Sequence, residues 1–429
     1  MKIAVVGLWH LGVVTAAALA AEGHDVVAID EPPIVAQIEA GGLPVDEPGL
    51  AELIAAQRSD GRLRFGTAAA DATGVELIWI CYDTPVDDND RPDVASVVER
   101  AQRFLAAFGG EATVAVSSQL PVGSIAELER RTGTDRFAFA AIPENLRLGS
   151  AIAYFRAPDR FVVGVRGARA RSTIERAIGS LAPLVWMSVE SAEMTKHAIN
   201  AFLATSVAFA NELAAVCERV GADAREVERG LKSDVRIGPK AYVRAGEAFA
   251  GGTLARDLAF LAALGDRESL ALAQLRATAA SNEQHRDWTA QRVGEVTQGV
   301  VAPRIAILGL VYKPGTDTLR ASAAVALARR LHERGTEVVA YDPAIPAGDT
   351  RLAPSARTVG SAEEALRQAD GAVIATAWPE FRELPSTLFE QMRRPVVIDP
   401  ARFLEDRLKG ASGVRYLGFG RSPAAVDAP

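Results

Sequence analysis

From Ser191 to Gly221 the chain runs without proline or internal glycine, and apolar residues cover most of the circumference that a helix would present. Among its polar residues, Glu193, Lys196, Asn200 and Asn211 recur near a 3.6-residue period and share one stripe. This predicts a long, deeply buried helix that ends on Gly221 as a C-cap. A buried polar stripe needs partners. Either it is a set of satisfied core groups, or Lys196 and Asn200, one turn apart, present a cation and an amide to an active site between two domains.

Away from that helix the period changes. KIAVVG at 2–7 reads as a buried strand, LWHLG as a turn, 13–22 as a helix and 24–29 as a second strand that ends at Asp30. Further strands are expected at 76–81, 113–116 and 138–142, each running into a polar or Pro/Gly turn. Strand and helix in alternation describe a doubly wound parallel sheet whose loops gather at its carboxyl edge, where ligands bind. At Arg304 the order strand, turn, helix, strand, Asp begins again with RIAILG, a helix at 322–334 and EVVAYDP. The predicted fold class is therefore α/β, with two Rossmann-like doubly wound domains joined by a long central helix and a cleft between them. The expected divisions are 1–190, 191–300 (the long helix and further helical segments) and 301–429. The tail from Arg421, rich in Pro and Ala, is expected to be disordered.

Size and composition agree with this organisation. A chain of 429 residues exceeds one ordinary core, and 49% hydrophobic with 24% charged residues is a globular balance. A net charge of -7 argues against a general nucleic-acid binder. Two cysteines, Cys81 and Cys217, and five scattered histidines offer neither a disulfide framework nor a readable metal site. The apolar N-terminus is broken by Gly7, Gly12, Glu22 and Asp25, and no run is expected to reach the length of a membrane span, so a cytoplasmic protein is expected.

The candidate chemistry lies in the turns. Gly7 and Gly12 stand where a dinucleotide fold needs a tight turn and close helix-strand packing, and Asp30 is placed to accept a ribose diol and to repel a 2'-phosphate, favouring NAD over NADP. Trp9 replaces the middle glycine of that pattern. Glu144 and Arg147 lie in the loop after the 138–142 strand. Gly251 and Gly252 allow a backbone turn beside Arg256 and Asp257, and the first turn of the second half offers Lys313, Thr316 and Arg320 to a phosphate or nucleotide.

These segments, in order and over nearly the whole chain, resemble the UDP-glucose/GDP-mannose dehydrogenase family. The resemblance is carried by GLWHLG at 7–12, LPVDEPGL at 43–50, CYDTP at 81–85, LPVGS at 120–124, IPENLRLG at 142–149, AEMTKHAIN at 192–200, NEL at 211–213, DVRIG at 234–238, GGTLARD at 251–257 and YKPGTDTLRAS at 312–322. It implies oxidation of the C6 alcohol of a nucleotide sugar with NAD, and a homodimer formed through the central helix. By resemblance the cofactor contacts are Gly7, Trp9, His10, Leu11, Gly12, Asp30, Thr84 and Ser118. The substrate contacts are Gln119, Asn145, Leu146, Arg147, Arg236, Gly252, Lys313 and Arg320, with Arg236 reaching the neighbouring subunit. Glu144 would orient or deprotonate a water, Lys196 would stabilise an oxyanion, and Asn200 would hold the reacting oxygen. Asp257 would serve as a base or keep Lys196 charged.

The departures bear on the mechanism. Thr253 stands at the position of the family's cysteine, which carries the acyl group as a thioester, and an alcohol needs a dedicated base to do the same. Gln119 stands where the family usually has threonine, Arg256 replaces a lysine, Asn145 replaces an aromatic residue, and the family's D-G-R motif survives only loosely as Asp399, Pro400, Ala401, Arg402. The leading expectation is an NAD-dependent nucleotide-sugar dehydrogenase that either oxidises the hydrated aldehyde directly or stops at a carbonyl. The alternative is a catalytically silent nucleotide-binding paralogue with a regulatory or scaffolding role. A hydroxyacid dehydrogenase of related build would leave the second α/β half without a task.

Overall fold

The computed structural model describes residues 1–45, 47–85, 92–133, 135–143, 146, 149–249, 251–320 and 322–422. The chain forms two compact units, Met1–Ile199 and Asn200–Pro429. The sequence position that divides them lies inside the long helix, Val189–Val220.

In the first unit the strands are β1 (Lys2–Val6), β2 (Asp25–Ile29), β3 (Leu63–Gly66), β4 (Leu77–Ile80), β5 (Ala112–Val116), β6 (Phe137–Ala141), β7 (Phe161–Val165) and β8 (Leu184–Met187). They form one sheet in the order β3-β2-β1-β4-β5-β6-β7-β8. All pairings are parallel except β6 with β7. Alternation along β1 sends Ile3 and Val5 into a cluster with Val13 and Leu19 of the helix His10–Ala21. Ala4 and Val6 enter the opposite cluster with Val97 and Leu105 of the helix Val94–Ala107. Both faces are dry, which is why these strands read as continuous apolar runs. The first helix begins at His10, three residues earlier than the expected 13, because Trp9 serves as its N-cap with an extended backbone and no side-chain capping bond to announce it.

The second unit contains β9 (Arg304–Leu308), β10 (Glu337–Tyr341), β11 (Arg357–Thr358), β12 (Gly371–Ile374), β13 (Val396–Asp399) and β14 (Arg415–Gly418). Their order, β11-β10-β9-β12-β13-β14, repeats that of the first six strands and is parallel throughout. The restart at Arg304 is thus a second doubly wound sheet. Helices Arg256–Arg267, Ala273–His285 and Trp288–Val296 fill the segment between the long helix and β9.

The long helix corrects one expectation: it is 32 residues long with a mean hydropathy of 1.4 over 18 of them, long and apolar enough by composition to cross a membrane. Its buried polar residues have protein partners instead, as a core helix requires. Glu193 accepts from the backbone N–H groups of Gly123 and Ile125, and Asn211 accepts from Gly246 N–H. Glu218 accepts from Arg292 and from Gly420 N–H.

The end of the second sheet folds onto the corner after this helix. Gly420 sits at φ +76° with room for no side chain, since a Cβ there would lie 2.5 Å from the Ala224 Cβ. Its carbonyl accepts from Ala224 N–H, and Arg421 bridges to Asp223, so the expected disordered tail does not begin at Arg421; residues 423–429 lie outside the described residues. Beside this corner Arg402 holds Asp223 through both guanidinium Nη atoms at 2.6 and 2.8 Å and also grips Glu405, which Arg225 approaches to 2.7 Å. Burial makes this network count for more than surface pairs.

The Arg402 guanidinium holds the Asp223 carboxyl down to about 2, so its contribution is fully present above the ordinary carboxylate range and is lost as pH falls through 2. Asp223→Asn is expected to cost about 2 kcal/mol at pH 7 in urea unfolding. The gap to the wild type should close between pH 4 and 2. An unchanged midpoint at pH 7 would show that the network contributes nothing.

Candidate active site

The turn after β1 carries the dinucleotide signature in three dimensions. Gly7 has φ +95°, and a Cβ there would come within 2.6 Å of Tyr82 N. Gly12 admits no side chain either, since a Cβ would overlap the Gly7 carbonyl oxygen at 1.7 Å. Helix and strand therefore approach as closely as backbones can, and the helix His10–Ala21 starts directly behind the turn with its first N–H groups at the sheet's carboxyl edge. Trp9 has φ -75°, a conformation open to any residue, so losing the middle glycine does not strain the loop.

Asp30 follows β2 and is nearly buried. It accepts from Leu8 N–H at 2.6 Å, from Glu31 N–H at 2.8 Å and from Arg100 at 2.9 Å. His10 meets the buried Glu47 at 3.0 Å, and the same carboxylate accepts from Gly149 and Ala151 N–H at 2.8 and 2.7 Å. Glu47 thus ties the start of the dinucleotide helix to the chain at Gly149 and Ala151.

Buried hydrogen bonds also order the ends of the central strands. Trp79 donates to the Ser117 hydroxyl, which donates to the Ile142 carbonyl, and Thr84 donates to the Gln119 carbonyl. Leu11 and Leu146 pack against the core beside the first helix. The Ser118 hydroxyl is buried and makes no hydrogen bond among the described residues, a polar atom left for a ligand at the edge where a dinucleotide would lie. Glycine turn, helix start, acidic residue and orphan hydroxyl together fit NAD.

On the long helix, Glu193 accepts the N–H groups of Gly123 and Ile125 at the start of the helix Ser124–Thr132. Burial raises its carboxyl, and those backbone donors partly offset the effect. His197 reaches the Leu120 carbonyl at 3.1 Å, and because a carbonyl only accepts, Nε2 carries the proton. Lys196 is half-buried on the same helix, one turn before Asn200.

In the second unit the Asn200 amide donates to the Asp257 carboxylate, and both residues are buried. Gly251–Ala255 winds as a π-helical turn into the helix beginning at Arg256, so the GGTLARD segment is neither an open loop nor a regular helix start. Thr253 is exposed on this turn, and its hydroxyl makes no hydrogen bond among the described residues. The preceding strap is held by side chains. Asn211 accepts from Gly246 N–H, Asn282 pairs with both backbone groups of Phe249, and His285 donates to the Gly246 carbonyl at 2.6 Å. Burial lowers the His285 pKa, consistent with a neutral ring. Glu247, on the same strap, is pushed up to about 8 by burial and by the nearby Asp399 carboxylate.

After β9, Gly309 (φ +92°) packs against Thr376, while Asp342, the counterpart of Asp30, spends one oxygen on Leu310 N–H, Val311 N–H and the Trp378 indole. The helix of this half begins only at Ala323, leaving a long loop that bears half-buried Lys313 and exposed Arg320. Arg402 is a correction to the loose D-G-R match: its side chain is spent on Asp223 and Glu405. Arg236 is exposed and folds back onto Asp234 at 2.7 Å. Glu144, Asn145 and Arg147 lie outside the described residues, and Gly252 belongs to the π turn. Sequence reasoning missed Glu47, His197, Asn282 and His285. Only His197, one helical turn beyond Glu193, carried a periodic signal.

A largely parallel sheet with a dinucleotide turn, followed by a second doubly wound sheet without one, fits a two-domain nucleotide-dependent dehydrogenase. Three family profiles match in succession: the UDP-glucose/GDP-mannose dehydrogenase family NAD binding domain over 1–178, the central domain over 190–284 and the UDP binding domain over 306–406. The UDP-glucose 6-dehydrogenase of Rhizobium meliloti is 33% identical over 98% of this chain and 100% of its own length. That of Haloferax volcanii is 32% identical over 95% of this chain and 98% of its own. Among solved structures, the UDP-glucose dehydrogenase of Pyrobaculum islandicum shares 32% identity with a TM-score of 0.87 over 98% of both chains. A UDP-D-ManNAc dehydrogenase of Pyrococcus horikoshii shares 26% with a TM-score of 0.86 over 99% of this chain and 100% of its own. The chain belongs to the UDP-glucose/GDP-mannose dehydrogenase family. It is an NAD-dependent nucleotide-sugar dehydrogenase.

Gly12→Ala tests the cofactor turn. The added methyl must push the helix off the Gly7 carbonyl, so NAD affinity measured by fluorescence titration is expected to fall at least about tenfold. Unaltered affinity would show that the close approach is not needed for binding.

Proposed function

We propose that the chain oxidises the C6 alcohol of UDP-glucose or a closely related nucleotide sugar without a covalent enzyme intermediate. The observation that carries this reading is the contrast between the buried Asn200–Asp257 pair and the exposed, unactivated Thr253. One N–H of the Asn200 amide is used by Asp257, leaving the other for a sugar oxygen. Lys196, one turn earlier, supplies positive charge for a developing alkoxide, an effect worth a few kcal/mol in such sites. NAD, when bound, supplies the hydride acceptor.

The first oxidation converts the CH2–OH group to an aldehyde, with one hydride leaving carbon and one proton leaving oxygen. The Thr253 hydroxyl is hydrogen-bonded to no base among the described residues, so in this reading the aldehyde carbon is not captured as an enzyme ester. Water adds to the aldehyde instead, and the gem-diol loses a second hydride and a proton to give the carboxylic acid. Glu144 is the residue assigned to that water. If hydration does not occur at the site, the reaction ends at the carbonyl after one hydride.

The active form we propose is a cytoplasmic homodimer through the long helix. Phe202, Phe209 and Val216 recur every seven residues and are 70%, 47% and 55% exposed, an apolar seam that suits a second copy of the same helix. Val235, 95% exposed beside Arg236, fits a loop that reaches a neighbouring subunit.

The test is the number of NADH formed per sugar consumed, with the product identified by mass, in wild type and Thr253→Cys. Two NADH and a uronate in the wild type are the expected result. One NADH in the wild type, rising to two in Thr253→Cys, would show that residue 253 truncates the reaction at the carbonyl.

A further inference from the structure

Three of the four strands that end the two sheets carry an exposed arginine: Arg64 on β3, Arg357 on β11 and Arg415 on β14. A charge at that place discourages another strand from adding to the edge. The fourth, β8, reads Leu-Val-Trp-Met and has none. Its register shows which main-chain groups are left over. β8 runs parallel to β7 with Leu184 beside Phe161 and Trp186 beside Val163, and Phe161 N–H donates to the Pro183 carbonyl. Successive residues of a paired strand alternate between facing the neighbour and facing away. Pro183, Val185 and Met187 therefore face β7. The N–H and C=O groups of Leu184 and Trp186 point outward, where they make no hydrogen bond among the described residues. The N–H that proline lacks lies on the β7 side, so Pro183 does not block the open edge.

A cavity of about 430 Å³ lies against this edge, with Leu184 and Trp186 in its wall and Glu175 of the helix Ala168–Ile178 beside them. The Arg171 guanidinium, one turn before Glu175, lies 4.5 Å from the centroid of the Trp186 ring instead of pairing with that carboxylate. Glu175 makes no ion pair among the described residues. Leu184 and Trp186 turn their side chains to this face, while Val185 lies on the other face and is 40% exposed. The edge thus joins unpaired main-chain groups to uncharged side chains and an open cavity, the combination that invites another strand.

We propose that β8 is a docking edge for a second copy of this chain, the two β8 strands pairing antiparallel about a two-fold axis at Val185. That register sets Leu184 opposite Trp186 of the partner subunit, and Trp186 opposite the partner's Leu184. These two hydrogen-bonded pairs satisfy every outward group of both strands. Each pair also sets an aromatic ring against an aliphatic side chain at the wall of the cavity. Val185 meets its own copy on the axis as a pair without hydrogen bonds. Arg171 and Glu175, the charged residues at the cavity, are opposite in sign, so they add no net repulsion between two identical edges. A foreign strand would find the same outward groups, but a second copy supplies the matching side chains in both directions. The contact is isologous and small, and it does not depend on the long-helix seam.

Val185→Cys in the full chain tests the register. Antiparallel neighbours without hydrogen bonds hold their Cα atoms about 4.5 Å apart, within the span of a disulfide. With copper phenanthroline and air as the oxidant, the two thiols give up two electrons and two protons, and a covalent dimer is expected on a non-reducing gel. Wild type, whose Cys81 and Cys217 are buried, should not form it. Arg64→Cys, on the guarded edge β3, should cross-link at least about tenfold more slowly than Val185→Cys. Sedimentation reads the same contact without a thiol: at about 100 μM the mass of Val185→Lys should be about half that of wild type, while Val185→Thr should keep the wild-type mass. Equal masses for wild type and Val185→Lys overturn the proposal. So does cross-linking of Val185→Cys no faster than that of Arg64→Cys, a result that stands even where lysine disturbs the fold.

Discussion

A long helix that buries polar side chains must find each of them a partner, and in this chain those partners are the loops that matter. Glu193 and His197 hold the segment from Leu120 to Ile125. Asn200 holds Asp257, and Asn211 holds the strap at Gly246 that leads into the π turn. Leaving any one of these groups unsatisfied costs more than its hydrogen bond contributes when made. The same requirement that makes the helix a stable core element therefore also sets the positions of the loops.

The departure at Thr253 takes its meaning from this arrangement. An exposed hydroxyl on a π turn, without a hydrogen-bonded base among the described residues, is a poor nucleophile, whereas the Asn200 amide and Asp257 carboxylate are buried and paired. Alcohol oxidation needs an oriented substrate oxygen, a stabilised alkoxide and a hydride acceptor, and none of these depends on a thiol. In the proposed reading, threonine in place of cysteine removes one route to the acid while the residues proposed for the oxidation are kept.

Much of the fold was legible because parallel strands buried on both faces leave apolar runs that no other element imitates, as at Lys2–Val6 and Arg304–Leu308. The role of Gly12 was legible for a steric reason that any dinucleotide turn shares. Other features were not. Glu47 meets backbone groups more than a hundred residues away, at Gly149 and Ala151, and no local pattern encodes such a partner. Arg402 looked like the remnant of a substrate motif, but its side chain sits in a buried ion network that only tertiary packing creates. The Asp30 carboxylate was legible as a residue, but its ion-pair partner Arg100, seventy residues later, was not.

We propose that the chemistry depends on Lys196, Asn200 and Asp257, and not on residue 253. The most direct measurement compares the initial rate of NADH formation from UDP-glucose in Thr253→Ala and in Asp257→Asn. The account predicts a rate within about threefold of wild type for Thr253→Ala and a loss of at least about a hundredfold for Asp257→Asn, with both variants still binding NAD. A hundredfold loss in Thr253→Ala, or a near-normal rate in Asp257→Asn, would contradict it.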